Sequence, residues 1–182
     1  SMALAVVGRG SLLDYALTSA LTVPAGVSQT VTFILAWHFP TGRHGAGGWG
    51  GEGNMYENWW PNAGAVADDV AARLDELTRL TRLYHDTLYA TNLPYWLLDR
   101  ISSQAVVLRS PTTFWTKDGY FGGWEGCCPD SGCCNGNCNH VWQYAQAHAR
   151  LFPEIGRRMR EQEFRFMAPN GAIPNRVMRE LG

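Results

Sequence analysis

The sequence is organised around residues 120–151, YFGGWEGCCPDSGCCNGNCNHVWQYAQAHARL. This stretch holds all five cysteines of the chain and a single glutamate, Glu125, in the context Gly-Gly-Trp-Glu-Gly. The glycines let the backbone turn sharply, and Trp124 supplies an aromatic wall. Since sugars stack on indole faces and glycosidic cleavage needs a carboxylate near the anomeric carbon, this context favours Glu125 as a catalytic residue acting on a polyol. A solvated loop glutamate is the alternative interpretation.

The cysteines stand close enough together to share one ligand or to pair with each other. They are Cys127, Cys128, Cys133, Cys134 and Cys138, and His140 follows two residues after the last. The spacing is compatible with a tetrahedral zinc site whose candidate ligands run from Cys128 to Cys138, although the C-x-x-C pairs of a zinc ribbon are missing. Local disulfides, with one thiol left over, and free thiols in a tight loop are the other two interpretations.

Periodicity predicts helices on both sides of this stretch. Residues 63–91 repeat apolar side chains at three- and four-residue steps, which predicts one long amphipathic helix. Pro94 opens a second helix to about Arg109. After the cysteines, a helical segment ends at Phe152, and Pro153 fits the first turn of the next helix. The expected buried face of the second helix consists of Trp96, Leu97, Ile101 and Val106.

Strand signals occupy the N-terminal part and the segment just before Trp124. Residues 4–7, 15–23 and 29–37 are rich in β-branched and apolar side chains, and a turn is expected at Pro24-Ala25-Gly26. The run TTFWTKDGYF, residues 112–121, predicts a hairpin that turns at Lys117-Asp118-Gly119. Together with the helices, these strands predict an α+β fold.

Several segments of the chain resemble, in order, the family 116 glycoside hydrolases of the bile-acid β-glucosidase or non-lysosomal glucosylceramidase type. The matching segments are FILAWHFP (33–40), HDTLY (85–89), LPYWLLDR (93–100), WEG (124–126), CNHVWQYAQ (138–146) and LFPE (151–154). The resemblance implies the end of a β-sandwich over residues 1–40, a Gly- and Trp-rich linker over 41–62, and the first helical hairpins of an (α/α)6 toroid over 63–182.

The resemblance also implies roles for individual residues. It places the nucleophile of a retaining β-glycosidase on Glu125 and sugar contacts on Trp124 and His140. His140 stands where the eukaryotic glucosylceramidases have an aspartate, and an imidazole donates and accepts hydrogen bonds differently from a carboxylate. The departure leaves open which sugar, and which β-glucoside, glycan or glycolipid, would bind.

The resemblance further implies that the acid/base aspartate lies beyond Gly182. Retaining hydrolysis needs two carboxyl groups roughly 5 Å apart. We therefore expect the chain to be a fragment that carries the nucleophile and does not turn over substrate alone. If the partner strands of the sandwich are absent, exposed strands are expected to cause self-association.

Composition limits the partners of the chain. A net charge of −1 and the lack of a basic run argue against nucleic acid, and no apolar run is long enough to cross a bilayer. Cysteines confined to one loop favour a reducing, cytoplasmic compartment. Two alternative functions remain: a Cys/His metal-binding or redox module that rests on the cysteine loop, and a sugar-binding fragment without chemistry.

Overall fold

The computed structural model describes residues 1–41, 43–44, 49–50, 53–110, 113–123, 126–128, 131–132, 137–138 and 147–177. For 43–44, 49–50, 126–128, 131–132, 137–138 and 147–148 the backbone alone is described. The described residues form helices and small antiparallel strand pairs in separate runs along the chain, which confirms the predicted α+β class. The chain divides into two units, Ser1–Phe39 with Asn58–Thr91 and Pro40–Glu57 with Asn92–Gly182.

The first unit contains two strand pairs and two helices. Its elements are β1 (Met2–Val6), β2 (Ser11–Leu13), β3 (Ala16–Thr18), β4 (Phe33–Trp37), α1 (Ala63–Ala72) and α2 (Leu74–Tyr89). β1 pairs with β4 and β2 pairs with β3, both antiparallel. The predicted turn at residues 24–26 is confirmed, because the Val27 amide donates to Pro24 O at 3.2 Å and Gly26 has φ +77°.

The core of the first unit lies between α1 and the β1–β4 pair. Ile34 and Ala36 of β4 contact Ala63 and Ala67 of α1, all of them buried. Alternation along a strand puts every second side chain on one face, and the short alanine side chains let the helix approach the sheet closely. His38, only 4% exposed, closes one end of this layer through a 2.8 Å hydrogen bond between its Nε2 and Trp60 O.

The predicted single helix over 63–91 is two helices that meet at Arg73. Arg73 has φ −109° and ψ 15°, outside the helical region, and it ends α1 and begins α2. A side-chain hydrogen bond to Glu76, with the charges of Glu76 and Asp69, raises the pKa of Arg73. These pairs are solvent-exposed, so their contribution to stability is small.

The second unit carries short strand pairs around one longer helix. Its elements are β5 (Arg43–His44), β6 (Trp49–Gly50), α3 (Tyr95–Ser102), a 3-10 helix (Ser103–Arg109), β7 (Thr113–Trp115), β8 (Phe121–Gly123), β9 (Gly126–Cys128), β10 (Ser131–Gly132), β11 (Asn137–Cys138), α4 (Ala147–Leu151), α5 (Pro153–Arg165) and β12 (Arg176–Val177). The antiparallel pairs are β5–β6, β7–β8, β9–β10 and β11–β12. A further 3-10 helix spans Met55–Asn58, across the boundary between the two units.

Of two helix predictions in this unit, the position of a junction is confirmed and the buried face of α3 is wrong. The junction of two helices at Phe152–Pro153 is confirmed, with Phe152 before the first turn and Pro153 inside it. The predicted buried face of α3 is wrong: Trp96 is 73% exposed, and the buried side chain is Leu98. The periodicity identified an apolar stripe, but three of its four side chains are exposed and Leu97 is half-buried.

Candidate functional site

The residues that the sequence singled out lie next to, and between, described strands. Trp124 and Glu125 directly follow β8, and Cys133, Cys134 and His140 come later; all five are outside the described residues. The backbone of Cys128 belongs to β9 and that of Cys138 to β11. The structure therefore describes the framework on either side of the predicted nucleophile and of the cysteines.

The predicted hairpin at residues 112–121 is confirmed as β7 and β8. Phe114 pairs with Gly122 and Trp115 with Phe121. Phe114 and Tyr120 stack with ring centroids 6.0 Å apart, and both are buried. A Cβ at Gly122 would come within 2.7 Å of both rings, so only glycine allows this close packing.

Hydrogen bonds within the turn of this hairpin fix its shape. The Thr116 hydroxyl is fully buried and donates to Asp118 Oδ1 at 2.5 Å, while the Thr116 amide donates to Tyr120 O at 2.8 Å. Gly119 has φ +93°, in the region that glycine adopts without strain. The Lys117-Asp118-Gly119 signal thus identified the turn correctly.

Residues 53–57 hold the same turn from outside. The Lys117 amide donates to Gly53 O at 3.2 Å, and the Lys117 ammonium lies 3.4 Å from Glu57 Oε2. Glu57 Oε1 also accepts a 2.7 Å hydrogen bond from the Asn54 amide. The last part of the Gly-rich segment therefore braces the hairpin.

A buried glutamine on α5 binds the first residue of β8. The Phe121 amide donates to Gln162 Oε1 at 2.8 Å, and Gln162 Nε2 donates to Phe121 O at 2.8 Å. The side-chain amide thus satisfies the two backbone groups that a neighbouring strand would otherwise pair. Because Phe121 stands four residues before Glu125, Gln162 fixes the strand that leads to the predicted nucleophile.

A second contact ties the hairpin to the strands around Cys138. The Tyr120 hydroxyl donates to Val177 O at 2.9 Å, and Val177 is fully buried. Val177 pairs with Asn137 in the β11–β12 ladder, and β8 lies beside β11. The chain segments that flank Glu125 and Cys138 are therefore parts of one framework.

The most buried carboxylate in the described part of the chain belongs to Glu163. Glu163 is 3% exposed, and its Oε2 lies 2.5 Å from Arg160 Nη1. Its Oε1 accepts no hydrogen bond from any described residue. Burying a carboxylate is costly unless it is paired, and the arginine one turn away supplies that pair.

A cavity of about 310 Å³ opens between the turn of β7–β8 and α5. Arg158 and Arg165 lie two helical turns apart, and the Arg158 guanidinium stands 5.9 Å from the centre of the Trp115 ring. Neither arginine is within ion-pair distance of a carboxylate among the described residues. Planar donors beside aromatic rings suit a polar ligand that accepts hydrogen bonds. The remaining lining consists of Asp118, Gly119, Tyr120, Glu161, Gln162 and Phe166.

The cavity, Gln162 and Glu163 were not predicted from the sequence. The partners of Gln162 are backbone groups 41 residues away, and backbone groups leave no signature in sequence. Glu163 follows Arg160 by three residues, a spacing that charged pairs on solvated helix faces also show, so it does not indicate burial. The one available hint was that α5 mixes polar and apolar residues along its sequence.

The predicted zinc site falls largely outside the described part of the chain. Among described side chains, no group of three His, Cys, Asp or Glu residues is placed to hold a metal. The cysteine side chains and His140 are not among them, so the zinc prediction stays a prediction. In the same described residues, no helix has the length and apolar character needed to cross a bilayer.

Comparisons with known proteins give no relative: no family model, no curated protein and no solved structure matches the chain.

Proposed function

We propose that the chain is part of a retaining β-glycosidase in which Glu125 is the nucleophile. The observation that carries this proposal is the ordered series of family-116-like segments from residue 33 to residue 154. In the same proposal, the β1–β4 pair is the end of a β-sandwich, and α1 to α3 begin an (α/α)6 toroid. The substrate is a β-glucoside or a related glycan or glycolipid.

The framework around Glu125 is compatible with that role. A nucleophile must be held in place relative to the anomeric carbon, because small displacements cost large factors in rate. β8 is buried, paired with β7 and bound at Phe121 by Gln162, and it ends two residues before Glu125. The strand that leads to the proposed nucleophile is thus held by its pairing and by a buried side chain, as this role requires.

The chemical step is an attack by the Glu125 carboxylate on the anomeric carbon. The new bond joins a Glu125 oxygen to that carbon, the glycosidic bond breaks, and the leaving oxygen departs with the bonding electron pair. Trp124 would stack on the sugar ring, and His140 would contact a hydroxyl. An ordinary aglycone needs a proton from a second carboxyl group, and we assign that role to no residue of this chain.

An aglycone that leaves without protonation separates the nucleophile from the missing acid. We expect 2,4-dinitrophenyl 2-deoxy-2-fluoro-β-glucoside to glycosylate the purified chain slowly, because dinitrophenolate is a good leaving group. Mass spectrometry of the peptide containing Glu125 should show the added fluoroglucosyl mass, and Glu125→Gln should abolish it. Modification at another residue, or undiminished modification of Glu125→Gln, would refute the assignment.

We also propose a structural zinc held by cysteines of the loop, which is compatible with the glycosidase function. The β9–β10 hairpin places Ser131 opposite Cys128, so the chain returns past Cys128 just before it reaches Cys133. The ligands would come from Cys128, Cys133, Cys134 and Cys138 as thiolates in a reducing compartment. Elemental analysis should find stoichiometric zinc that is lost when Cys133→Ser and Cys138→Ser are combined.

A further inference from the structure

One face of the β1–β4 pair is apolar and exposed. Three cross-strand pairs form this outer sheet face, with the Leu4–Leu35 pair at its centre. Its members are Met2, Leu4, Val6, Phe33, Leu35 and Trp37. Val6 is half-buried, and the exposed fractions of the other five run from 48% to 62%. The opposite face is the one that packs on α1.

The outer sheet face is larger than the apolar patches that scattered surface residues produce. Side chains of these sizes at these exposures present on the order of 600 Å² of apolar surface, at or above the largest patch on a typical monomer. Neither strand contains a polar or charged residue, since their sequences are MALAV and FILAW. A surface of this kind marks a contact with another apolar surface.

We propose that the outer sheet face binds the same face of a second copy of this chain. The occupant must be apolar, uncharged and of the same extent, and another copy offers a surface with all three properties. Two such faces would bury about 1,200 Å² in total, which reaches the range of specific interfaces. Sheets stack face to face about 10 Å apart with their side chains interdigitated, and two-fold dimers are the commonest oligomers.

The geometry of the sheet predicts which side chains matter most. We place the two-fold axis in the plane between the stacked faces, across the strands and over the Leu4–Leu35 pair, so that each of these leucines meets its own copy. The half-exposed two-stranded pair is also marginal alone and gains stability when its second face is covered. This inference uses neither Glu125 nor the cysteines, but it competes with the proposed function at one point, since the second sheet of a β-sandwich would cover this same face.

Sedimentation equilibrium over a wide concentration range tests the proposal. We expect reversible dimers of the wild-type chain. Leu35→Lys should weaken dimerisation by about a hundredfold or more, because the buried leucine is lost twice and two ammonium groups are brought together. The matched control is Leu12→Lys, because Leu12 is 77% exposed and lies on β2, outside the outer sheet face. The dimer of this variant should have the wild-type dissociation constant.

A charge-swapped pair separates loss of the interface from loss of the fold. Leu35→Lys and Leu35→Glu should each be monomeric with the helical circular dichroism of the wild type, and their mixture should form heterodimers. A wild-type chain that stays monomeric throughout, a Leu35→Lys dimer as tight as the wild type, or a folded pair that forms no heterodimer would overturn the proposal.

Discussion

The two units of the chain both pack a strand pair against a helix, but different interactions hold the two layers together. In the first unit, β1–β4 meets α1 through alanines and Ile34, and the larger apolar side chains point away from the helix. In the second, β7–β8 meets α5 through Phe121 and Met159 and through the two hydrogen bonds of Gln162. Apolar packing is non-directional, whereas buried hydrogen bonds fix one register. The second layer therefore specifies the position of its strand more sharply than the first.

The largest effect is expected from removing the polar contact in the second layer. Gln162→Leu leaves the amide and carbonyl of Phe121 buried without partners, at a cost of about 1–3 kcal/mol each. Urea denaturation should show a loss of about 3 kcal/mol in the free energy of unfolding. The neighbouring exposed Glu161→Ala should change it little, and equal losses in both variants would contradict the role of Gln162.

The apolar layer of the first unit should respond to volume instead. Ala67 is 3% exposed between α1 and the sheet, so Ala67→Leu forces helix and strands apart and should cost about 2 kcal/mol. Ala71→Leu, on an exposed position of the same helix, serves as the control. If Ala67→Leu is as stable as its control in urea denaturation, the layer is less closely packed than described.

Two glycines separate backbone strain from side-chain crowding. Gly119 and Gly26 both have positive φ. A Cβ at Gly119 would lie 3.0 Å from Arg158 Nη1, whereas a Cβ at Gly26 would have no heavy atom within 4 Å. Gly26→Ala should lose about 1–2 kcal/mol of stability from φ alone. Gly119→Ala should lose at least as much and also displace Arg158 from Trp115, visible as a change in tryptophan fluorescence. An unaltered spectrum would argue against that contact.

The smallest expected effect concerns the start of α1. Asn62 Oδ1 accepts a 2.9 Å hydrogen bond from the Ala65 amide and caps the helix. Asn62→Ala should lower the free energy of unfolding by about 1 kcal/mol. Asn62→Asp should keep the free energy of unfolding close to the wild-type value, because aspartate caps a helix as well as asparagine. Thermal denaturation of the three proteins measures both differences; a neutral Asn62→Ala would show that the cap is dispensable.

Local signals in the sequence predicted local structure well. The hairpin turned where Lys117-Asp118-Gly119 indicated, and the helix after Pro153 began where its ring fits. Turn and cap chemistry involves residues a few positions apart, so the sequence contains the whole cause. The division of one predicted helix at Arg73 had no such signal, because that residue carries no helix-breaking side chain.

Burial and the polar framework were harder to predict. Trp96 and Ile101 form an apolar stripe on α3, yet both are exposed, because periodicity identifies a face without identifying what covers it. Gln162 reads as an ordinary polar residue of a surface helix until its distant backbone partner is known. The roles of Glu125, Trp124 and His140 stay predictions based on the family resemblance, since these residues lie outside the described part of the chain.

The hydrogen bond from Tyr120 to Val177 depends on the fold of the whole second unit. It joins two points 57 residues apart, and the stretch between them includes Glu125 and every cysteine. Closing a stretch of that length costs chain entropy before any contact at its ends is made. This hydrogen bond therefore forms only when the segments between the two residues are in place, and local turn signals alone do not produce it.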